Sequence, residues 1–206
     1  MAVSFDLFGT LVSVDRPTEP ARLIARELRE RGVSVPSDFA DAYREKHIDA
    51  PTGAEVPLPA HVAAALSSRG VDAPNNAARR AVVAAFEPTV RRRDGAAKAL
   101  NTAAEIGPVG LCSNCSVPAL VEQTLIRAEL QDSFDAVVTS VGCGWRKPDR
   151  RAFETLAGKL DVGIESLVHI GDDPTTDGGI EPAGGRFIDL ADTTLLELPE
   201  ELVSRL

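Results

Sequence analysis

The chain has 206 residues, which is enough for one ordinary domain or for a core with a smaller insert. Hydrophobic residues make up 44% of the chain, which excludes a wholly disordered protein, and no apolar run approaches the roughly 20 residues of a membrane span. The formal net charge is −9, with 31 acidic residues against 22 basic ones, so nucleic acid and anionic membranes are disfavoured as partners.

The ends and the cysteines point to an intracellular protein. The chain begins M-A-V-S-F-D-L-F, without the basic start and long apolar stretch of a secretory signal, so we expect it in the cytoplasm. Its three cysteines, Cys112, Cys115 and Cys143, are too few and odd in number for a disulfide framework. We expect reduced thiols, with a zinc or redox role for the C-x-x-C pair as the alternative. A surface rich in acids and poor in lysine also suggests a high-salt cytoplasm as a hypothesis.

The first predicted strand is short and is followed by helices. Residues Val3 to Phe8 form an apolar run that is interrupted by Asp6 and closed by Gly9, which predicts a buried strand ending in a turn. Between residues 15 and 90 the pattern is almost entirely helical, and Pro and Gly residues separate its stretches. Helices are predicted up to residue 32 and over about 37–48, 59–68 and 75–86.

From about residue 94, helices alternate with apolar runs that are typical of buried strands. Strands are predicted over 109–112, 136–141, 167–170 and 186–190, and helices over about 95–106, 117–130, 149–161, 178–183 and 194–206. This alternation predicts an α/β fold with a parallel sheet covered on both faces. We therefore expect a Rossmann-like core made of residues 1–14 and 91–206, with residues 15–90 inserted as an all-helical cap domain.

Polar residues follow four of the apolar runs, where parallel strands would end at one edge of the sheet. They are Asp6, Ser113-Asn114, the Arg146-Lys147-Pro148 turn, and Asp172-Asp173 with Asp177. Clustered carboxylates need positive charge to stay ionised, and Lys147 with a hard cation such as Mg²⁺ would supply it. The set fits in-line phosphoryl transfer to a carboxylate nucleophile. The alternatives are a structural Asp6–Lys147 salt bridge and a plain helix N-cap at Ser113-Asn114.

Four motifs in order resemble those of the haloacid dehalogenase superfamily. They are V-S-F-D-L-F-G-T-L from residue 3, L-C-S-N from residue 111, R-K-P-D from residue 146 and H-I-G-D-D-P-T-T-D-G-G from residue 169. Each motif alone is weak evidence, but together they span the predicted core. The helical insert after the first motif is also similar to the helical cap of that superfamily.

The resemblance implies a role for each matching residue. Asp6 is implied as the nucleophile, Ser113 as a hydrogen-bond donor to the transferring group, and Lys147 as the compensating charge. Mg²⁺ is implied on Asp6, Asp172 and the backbone carbonyl of Phe8. Either Asp173 or Asp177 is implied to orient the waters of the metal or Lys147, and we expect Thr10 and Asn114 to contact the substrate.

Phe8 departs from the superfamily's phosphatase pattern, in which a second aspartate stands two residues after the nucleophile. A phenyl ring can neither protonate a leaving group nor activate water, a contribution typically worth about 10²- to 10⁴-fold. An aromatic residue here resembles the 2-haloacid dehalogenases, and Arg44 is a candidate to hold a substrate carboxylate. The acidic fourth motif instead favours a magnesium-dependent phosphatase, because without a cation its acids would repel such a substrate.

The sequence therefore predicts a hydrolase, with phosphatase chemistry on a small phosphorylated metabolite favoured over 2-haloacid dehalogenation. A third hypothesis is a weakly active or non-enzymatic ligand-binding homologue that has lost its acid–base residue. The expected partner is a small molecule, with no nucleic acid and no membrane, and the expected state is a monomer or a homodimer. Residues 91–93, three consecutive arginines, are expected to form a solvated hinge between cap and core.

Overall fold

A five-stranded parallel sheet forms the centre of the protein, in the strand order β5-β4-β1-β6-β7. Its strands are β1 (Ala2–Phe5), β4 (Val109–Ser113), β5 (Ala136–Thr139), β6 (Leu167–Gly171) and β7 (Arg186–Asp189). Every residue of β1, β4 and β6 is buried, as expected for apolar runs in a sheet that is covered on both faces. The structure, a computed structural model, describes residues 1–15, 17–87 and 89–205.

Helices cover both faces of this sheet. On one face lie α5 (Ala96–Ile106), which packs against β1, and α10 (Leu198–Arg205), which packs against α5. On the other face α8 (Arg150–Lys159) packs against β4 and β5. The alternation of side chains along β1 separates the two cores, because Val3 and Phe5 join the first and Ala2 joins the second. The α/β fold with a parallel sheet that the sequence predicts is confirmed.

Shorter elements complete the core. They are α6 (Leu120–Arg127), α7 (Ser140–Cys143), α9 (Ile180–Ala183) and two 3-10 turns, Ile164–Ser166 and Asp177–Gly179. In the part of the chain that the structure describes, no helix is long and apolar enough to cross a membrane.

Four helices lie between two short strands that pair with each other. The strands β2 (Val12–Val14) and β3 (Val90–Arg92) form an antiparallel ribbon. The helices are α1 (Pro20–Glu30), α2 (Phe39–Arg44), α3 (Leu58–Ser67) and α4 (Ala77–Ala85). Helix α4 packs against both α1 and α3, and α2 packs against α3, so the insert has apolar contacts of its own. We propose that this four-helix insert is the cap.

A segment of the insert between α2 and α3 is bonded to the core. The backbone N–H of Glu55 donates to the carbonyl of Gly144 at 2.9 Å, and that of Arg146 donates to the carbonyl of Gly53 at 2.9 Å. The buried carboxylate of Glu55 accepts a hydrogen bond from the Ser140 hydroxyl and lies 3.5 Å from the Arg146 guanidinium. Glu55 therefore fixes the insert to the core beside the turn that carries Lys147.

The structure corrects several boundaries. Strand β1 ends at Phe5 rather than at Phe8, and the strand predicted up to Val141 ends at Thr139, whose side chain accepts the N–H of Gly142 and so begins α7. Residues 91 and 92, predicted as a solvated hinge, are exposed as expected, but they lie in strand β3, which pairs with β2 across more than 70 residues of sequence. The predicted helix over 117–130 is shorter, and the last helix runs from Leu198, with Leu206 outside the described residues.

The contacts of Glu55 generate a stability prediction. We expect Glu55→Ala to lower the melting temperature by roughly 3–8 °C, because the buried Ser140 hydroxyl and the Arg146 guanidinium lose their carboxylate partner. Thermal unfolding followed by circular dichroism measures the change. Glu105→Ala, at an exposed position on α5, is the matched control. Equal melting temperatures for the two variants would contradict the role of Glu55.

Candidate active site

The carboxyl ends of β1, β4 and β6 bring the predicted residues to one edge of the sheet. Asp6 follows β1, Ser113 ends β4 and Asp172 follows β6, and these three strands are neighbours in the sheet. Although Asp6 lies beyond the last residue of β1, its N–H donates to the carbonyl of Ile170 at 2.9 Å. The backbone of the sheet therefore fixes the Asp6 carboxylate beside the end of β6.

Lys147 joins two carboxylates at the centre of this edge. Its Nζ lies 2.7 Å from Oδ1 of Asp6 and 2.5 Å from Oδ1 of Asp177, and the lysine side chain is 1% exposed. Asn114 holds the lysine in place through its backbone, since its Oδ1 accepts the N–H of Lys147 and its Nδ2 donates to the carbonyl of Lys147, both at 2.9 Å. The amide of Asn114, which the sequence predicts to contact the substrate, therefore positions Lys147 in this structure.

Burial and charge set the protonation of the two paired carboxylates. Burial raises the pKa of Asp6 to about 6; the carboxylate of Asp177 acts in the same direction, and the Lys147 ammonium opposes both. Burial also disfavours charge on Asp177, but hydrogen bonding to His169 and the charge of Lys147 hold its pKa well below the usual range. Burial disfavours charge on Lys147 as well, yet the facing carboxylates keep its pKa above the ordinary value. Lys147 therefore stays protonated.

The ring of His169 contacts both Lys147 and Asp177, which the sequence does not predict. Its Nε2 lies 3.2 Å from Oδ1 of Asp177 and 3.5 Å from Nζ of Lys147, and its Nδ1 lies 2.9 Å from the hydroxyl of Ser4. Burial and the nearby ammonium lower the pKa of His169 to about 4, so the ring is neutral at neutral pH. A neutral ring satisfies both contacts when Nε2 donates to Asp177 and Nδ1 accepts from Ser4.

The exposed carboxylate of Asp172 lies beside the two carboxylates that contact Lys147. Oxygen atoms of Asp6, Asp172 and Asp177 all lie within 4.8 Å of one another. Thr10, predicted to contact the substrate, donates its hydroxyl to Oδ1 of Asp172 at 2.6 Å and so orients that carboxylate. Gly9, with a φ of 102°, allows the close approach, because a Cβ at this position would collide with the Asp172 side chain. A set of hard oxygen donors that is short of positive charge fits Mg²⁺.

The structure distinguishes Asp173 from Asp177, the two candidates for orienting the waters of the metal or Lys147. Asp177 is buried and contacts Lys147. Asp173 is exposed, and its Oδ1 accepts from the N–H of Thr175 at 2.9 Å and from the Thr175 hydroxyl at 2.6 Å. Its own N–H lies 3.2 Å from Oδ2 of Asp177. Asp173 therefore shapes the turn, while Asp177 reaches the lysine.

The hydroxyl of Ser113 is buried and, among the described residues, has no hydrogen-bond partner. Helix α6 begins at Leu120 with Ala119 as its N-cap, so the alternative interpretation of Ser113-Asn114 as a helix N-cap is wrong. An unsatisfied buried hydroxyl costs free energy unless a ligand or water completes it. The orphaned donor beside Asp6 and Lys147 suits an oxygen of a bound anion.

Other polar residues singled out by the sequence lie elsewhere. Arg44 is exposed and pairs with Asp41 at 2.8 Å. Arg93, within the predicted hinge, donates to the backbone carbonyls of Gly9 and Thr10 and so supports the turn that follows Asp6. Cys112 is buried, and burial raises the pKa of its thiol to about 12, which makes it an inert core residue.

A cavity of about 780 Å³ adjoins the site between the insert and the core. Phe8 and Asn114 line it on the side of the site, and the insert contributes side chains from α1 to α4 and from the segments that precede α1 and follow α4. The position of Phe8, two residues after Asp6, places a phenyl ring at the boundary between the carboxylate cluster and the cavity.

A family model of haloacid dehalogenase-like hydrolases matches residues 1–184. The chain belongs to the haloacid dehalogenase-like hydrolases. The match covers most of the core and the whole four-helix insert, and it includes all four motifs identified in the sequence. A comparison with curated protein sequences finds no match.

Solved structures of this family share the fold. The 2-haloacid dehalogenase from Pseudomonas syringae pv. Tomato DC3000 is 19% identical, with a TM-score of 0.67 over 100% of this chain and 99% of that one. The HAD phosphatase from Thermococcus onnurineus is 18% identical, with a TM-score of 0.61 over 98% and 97%. CbbY from Rhodobacter sphaeroides, in complex with phosphate, is 20% identical, with a TM-score of 0.57 over 91% and 84%. Phosphatases and dehalogenases thus share this fold, and the fold alone does not choose between them.

The raised pKa of Asp6 predicts a stability effect with a defined sign. Unfolded Asp6 ionises near 3.8 and folded Asp6 near 6, so the stability that the protonated carboxyl provides is lost as pH rises through that window. With a chelator present at about pH 7.5, we expect Asp6→Asn to raise the melting temperature by roughly 5 °C.

The pH dependence and a matched variant test the cause of this effect. The gain should shrink as pH falls to about 4, because Asp6 is then neutral in the folded protein as well. Asp72→Asn, at an exposed position outside the site, should leave the melting temperature unchanged at both pH values. A destabilised Asp6→Asn protein at neutral pH would refute this electrostatic account.

Proposed function

We propose that the protein is a magnesium-dependent phosphatase that acts on a small phosphorylated metabolite through an aspartyl-phosphate on Asp6. The observation that carries this proposal is a cluster of three carboxylates, two of which contact Lys147, at the edge of the sheet where the buried hydroxyl of Ser113 also lies. A phosphoryl group brings negative oxygens to this place, and they need both a cation and hydrogen-bond donors.

The chain's residues would divide the work as follows. The Asp6 carboxylate attacks phosphorus, and the bond between phosphorus and the ester oxygen breaks with its electron pair leaving on that oxygen. The hydroxyl of Ser113 and the ammonium of Lys147 donate to the phosphoryl oxygens. Water then cleaves the aspartyl-phosphate, which releases inorganic phosphate and restores the Asp6 carboxylate.

Asp6, Asp172 and the backbone carbonyl of Phe8 would hold Mg²⁺, while Asp177 fixes Lys147 beside it. When bound, the cation neutralises charge on the cluster and on the phosphoryl oxygens. It also favours the ionised form of Asp6, whose pKa burial otherwise raises. We propose that the four-helix insert acts as a cap that excludes water from the site. We also propose that the enzyme is cytoplasmic and is a monomer or a homodimer.

One observation favours 2-haloacid dehalogenation as the second candidate. Phe8 removes the acid that protonates an ester oxygen, and a departing halide needs no proton. The acidic cluster weighs more, because Asp172 and Asp177 would repel a substrate carboxylate in the absence of a cation. Arg44, the candidate to bind that carboxylate, pairs with Asp41 and does not line the cavity.

Hydrolysis of an activated aryl phosphate tests the proposal. We expect turnover of 4-nitrophenyl phosphate with Mg²⁺, and a loss of at least about 10³-fold on chelation or in Asp6→Asn, since both remove a group that stabilises the transition state. Asp72→Asn, at an exposed position outside the site, should retain full activity. Assays at low and high salt also test the high-salt hypothesis.

The leaving group of 4-nitrophenyl phosphate departs without being protonated. The lack of an acid at position 8 would therefore not explain an absence of turnover. No magnesium-dependent turnover at either salt concentration would overturn the phosphatase proposal. Release of halide from 2-chloropropionate, lost in Asp6→Asn, would then establish the second candidate.

A further inference from the structure

Resting on the proposed phosphatase function, we infer that the substrate is the monophosphate ester of an uncharged aromatic alcohol of phenol type, whose ring lies in the cavity beside Phe8. Two independent observations support this substrate class. One is the composition of the cavity, and the other is the chemistry of the leaving group.

The cavity is where the organic part of a substrate must lie. A phosphoryl group at Asp6, Lys147 and Ser113 has its ester oxygen directed away from the attacking carboxylate, as in-line displacement requires. Phe8 and Asn114 belong both to the neighbourhood of Asp6 and Lys147 and to the cavity wall. The volume of about 780 Å³ is ample for a moiety with one or two rings.

The cavity wall is mostly apolar and partly aromatic, although the hydroxyl-bearing residues Thr18, Thr89 and Ser116 also line it. Besides Phe8 it includes Tyr43 and Phe86 from the insert, together with Leu23, Leu58 and Val117. Aromatic and branched side chains of this kind favour a flat apolar group over a polyhydroxylated one, because hydroxyl groups buried against them would lose their hydrogen bonds to water.

The described residues of the wall offer no partner to a second anionic group. Asp15 and Glu87 line the cavity, but their side chains are 65% and 71% exposed. Each is already paired with an arginine outside the cavity, Asp15 with Arg91 at 3.3 Å and Glu87 with Arg127 at 2.6 Å. Among residues 1–15, 17–87 and 89–205, no lysine or arginine lines the cavity. A carboxylate or a second phosphate would therefore be disfavoured.

The leaving group supplies the second argument. Phe8, two residues after Asp6, has no proton to give to the departing ester oxygen. The acids on the described cavity wall, Asp15 and Glu87, are paired with arginines, so that oxygen leaves as an anion or takes its proton from solvent. A phenol has a pKa of about 10, like the tyrosine side chain, whereas an alkoxide is about as basic as hydroxide, whose conjugate acid has a pKa near 15.7. An aryl ester therefore tolerates Phe8, and an alkyl ester does not.

Phenyl, benzyl and 4-carboxyphenyl phosphate are similar in size and test the leaving group and the cavity separately. Phenyl and benzyl phosphate share a ring but differ in the leaving group, and we expect kcat to be at least about 10²-fold higher for phenyl phosphate. The carboxylate of 4-carboxyphenyl phosphate makes its phenol a better leaving group than that of phenyl phosphate. A value of kcat/KM at least about tenfold lower than that of phenyl phosphate would therefore indicate that the cavity disfavours a second negative charge.

Variants sharpen the test. Leu23→Arg places a cation on the half-buried wall and should raise kcat/KM for 4-carboxyphenyl phosphate relative to phenyl phosphate by about tenfold or more. Ile126→Arg adds the same charge at a side chain that is 62% exposed and outside the cavity, and it should leave that ratio unchanged. Phe8→Asp should raise turnover of benzyl phosphate more than that of phenyl phosphate. Binding of the alcohol can be measured separately by calorimetry. We expect the protein to bind 2-naphthol, which resembles the inferred product, and not to bind glycerol, a polyhydroxylated alcohol.

Acetyl phosphate is small and has an activated leaving group, so its hydrolysis tests the phosphatase function independently of the inferred substrate class. If its hydrolysis depends on Mg²⁺ and Asp6 while benzyl or 4-carboxyphenyl phosphate is turned over as well as phenyl phosphate, the inferred substrate class is wrong and the phosphatase stands. If no phosphate is hydrolysed at all, both proposals fall. Selectivity for phenyl phosphate together with the Leu23→Arg switch would support the inferred substrate class.

Discussion

The ammonium of Lys147, buried between the carboxylates of Asp6 and Asp177, is the interaction on which the rest of the site depends. Two buried carboxylates without it would be costly, and a buried ammonium without them would be equally so. Asn114 fixes the backbone of the lysine, and the neutral ring of His169 supports Asp177 without adding a competing charge. The parallel sheet makes this possible because its central strands end at one edge.

The remaining imbalance of charge connects the site to its proposed chemistry. With Asp172 included, three carboxylates lie close together beside one ammonium, and the pKa of Asp6 is raised by its burial and by the charge of Asp177. A hard divalent cation offsets this negative charge and so allows an anionic phosphoryl group to approach, whereas a haloacid bound without a cation would add to it. Phe8 then limits the chemistry rather than abolishing it, because it restricts the leaving groups that can depart without a proton.

The sequence predicts the fold and the neighbours of the site because both follow from strand order and hydrophobic periodicity. Placing Asp6, Ser113 and Asp172 together needs only the rule that parallel strands end at a common edge. The sequence does not predict the ribbon of β2 and β3, because these strands are three residues long and lie far apart in the chain. Nor does it predict that Glu55 fixes the insert to the core or that His169 reaches Asp177, since such contacts depend on tertiary packing.

The most direct test of the central claim is to look for the phosphoryl group on Asp6 itself. A rapid acid quench after mixing with an aryl phosphate and Mg²⁺, followed by peptide mass spectrometry, would locate any covalent adduct. We expect phosphate on the peptide that contains Asp6, formed only with Mg²⁺ and absent from Asp6→Asn. Turnover without a phosphorylated Asp6, or an ester formed at Asp6 from 2-chloropropionate in the presence of a chelator, would contradict it.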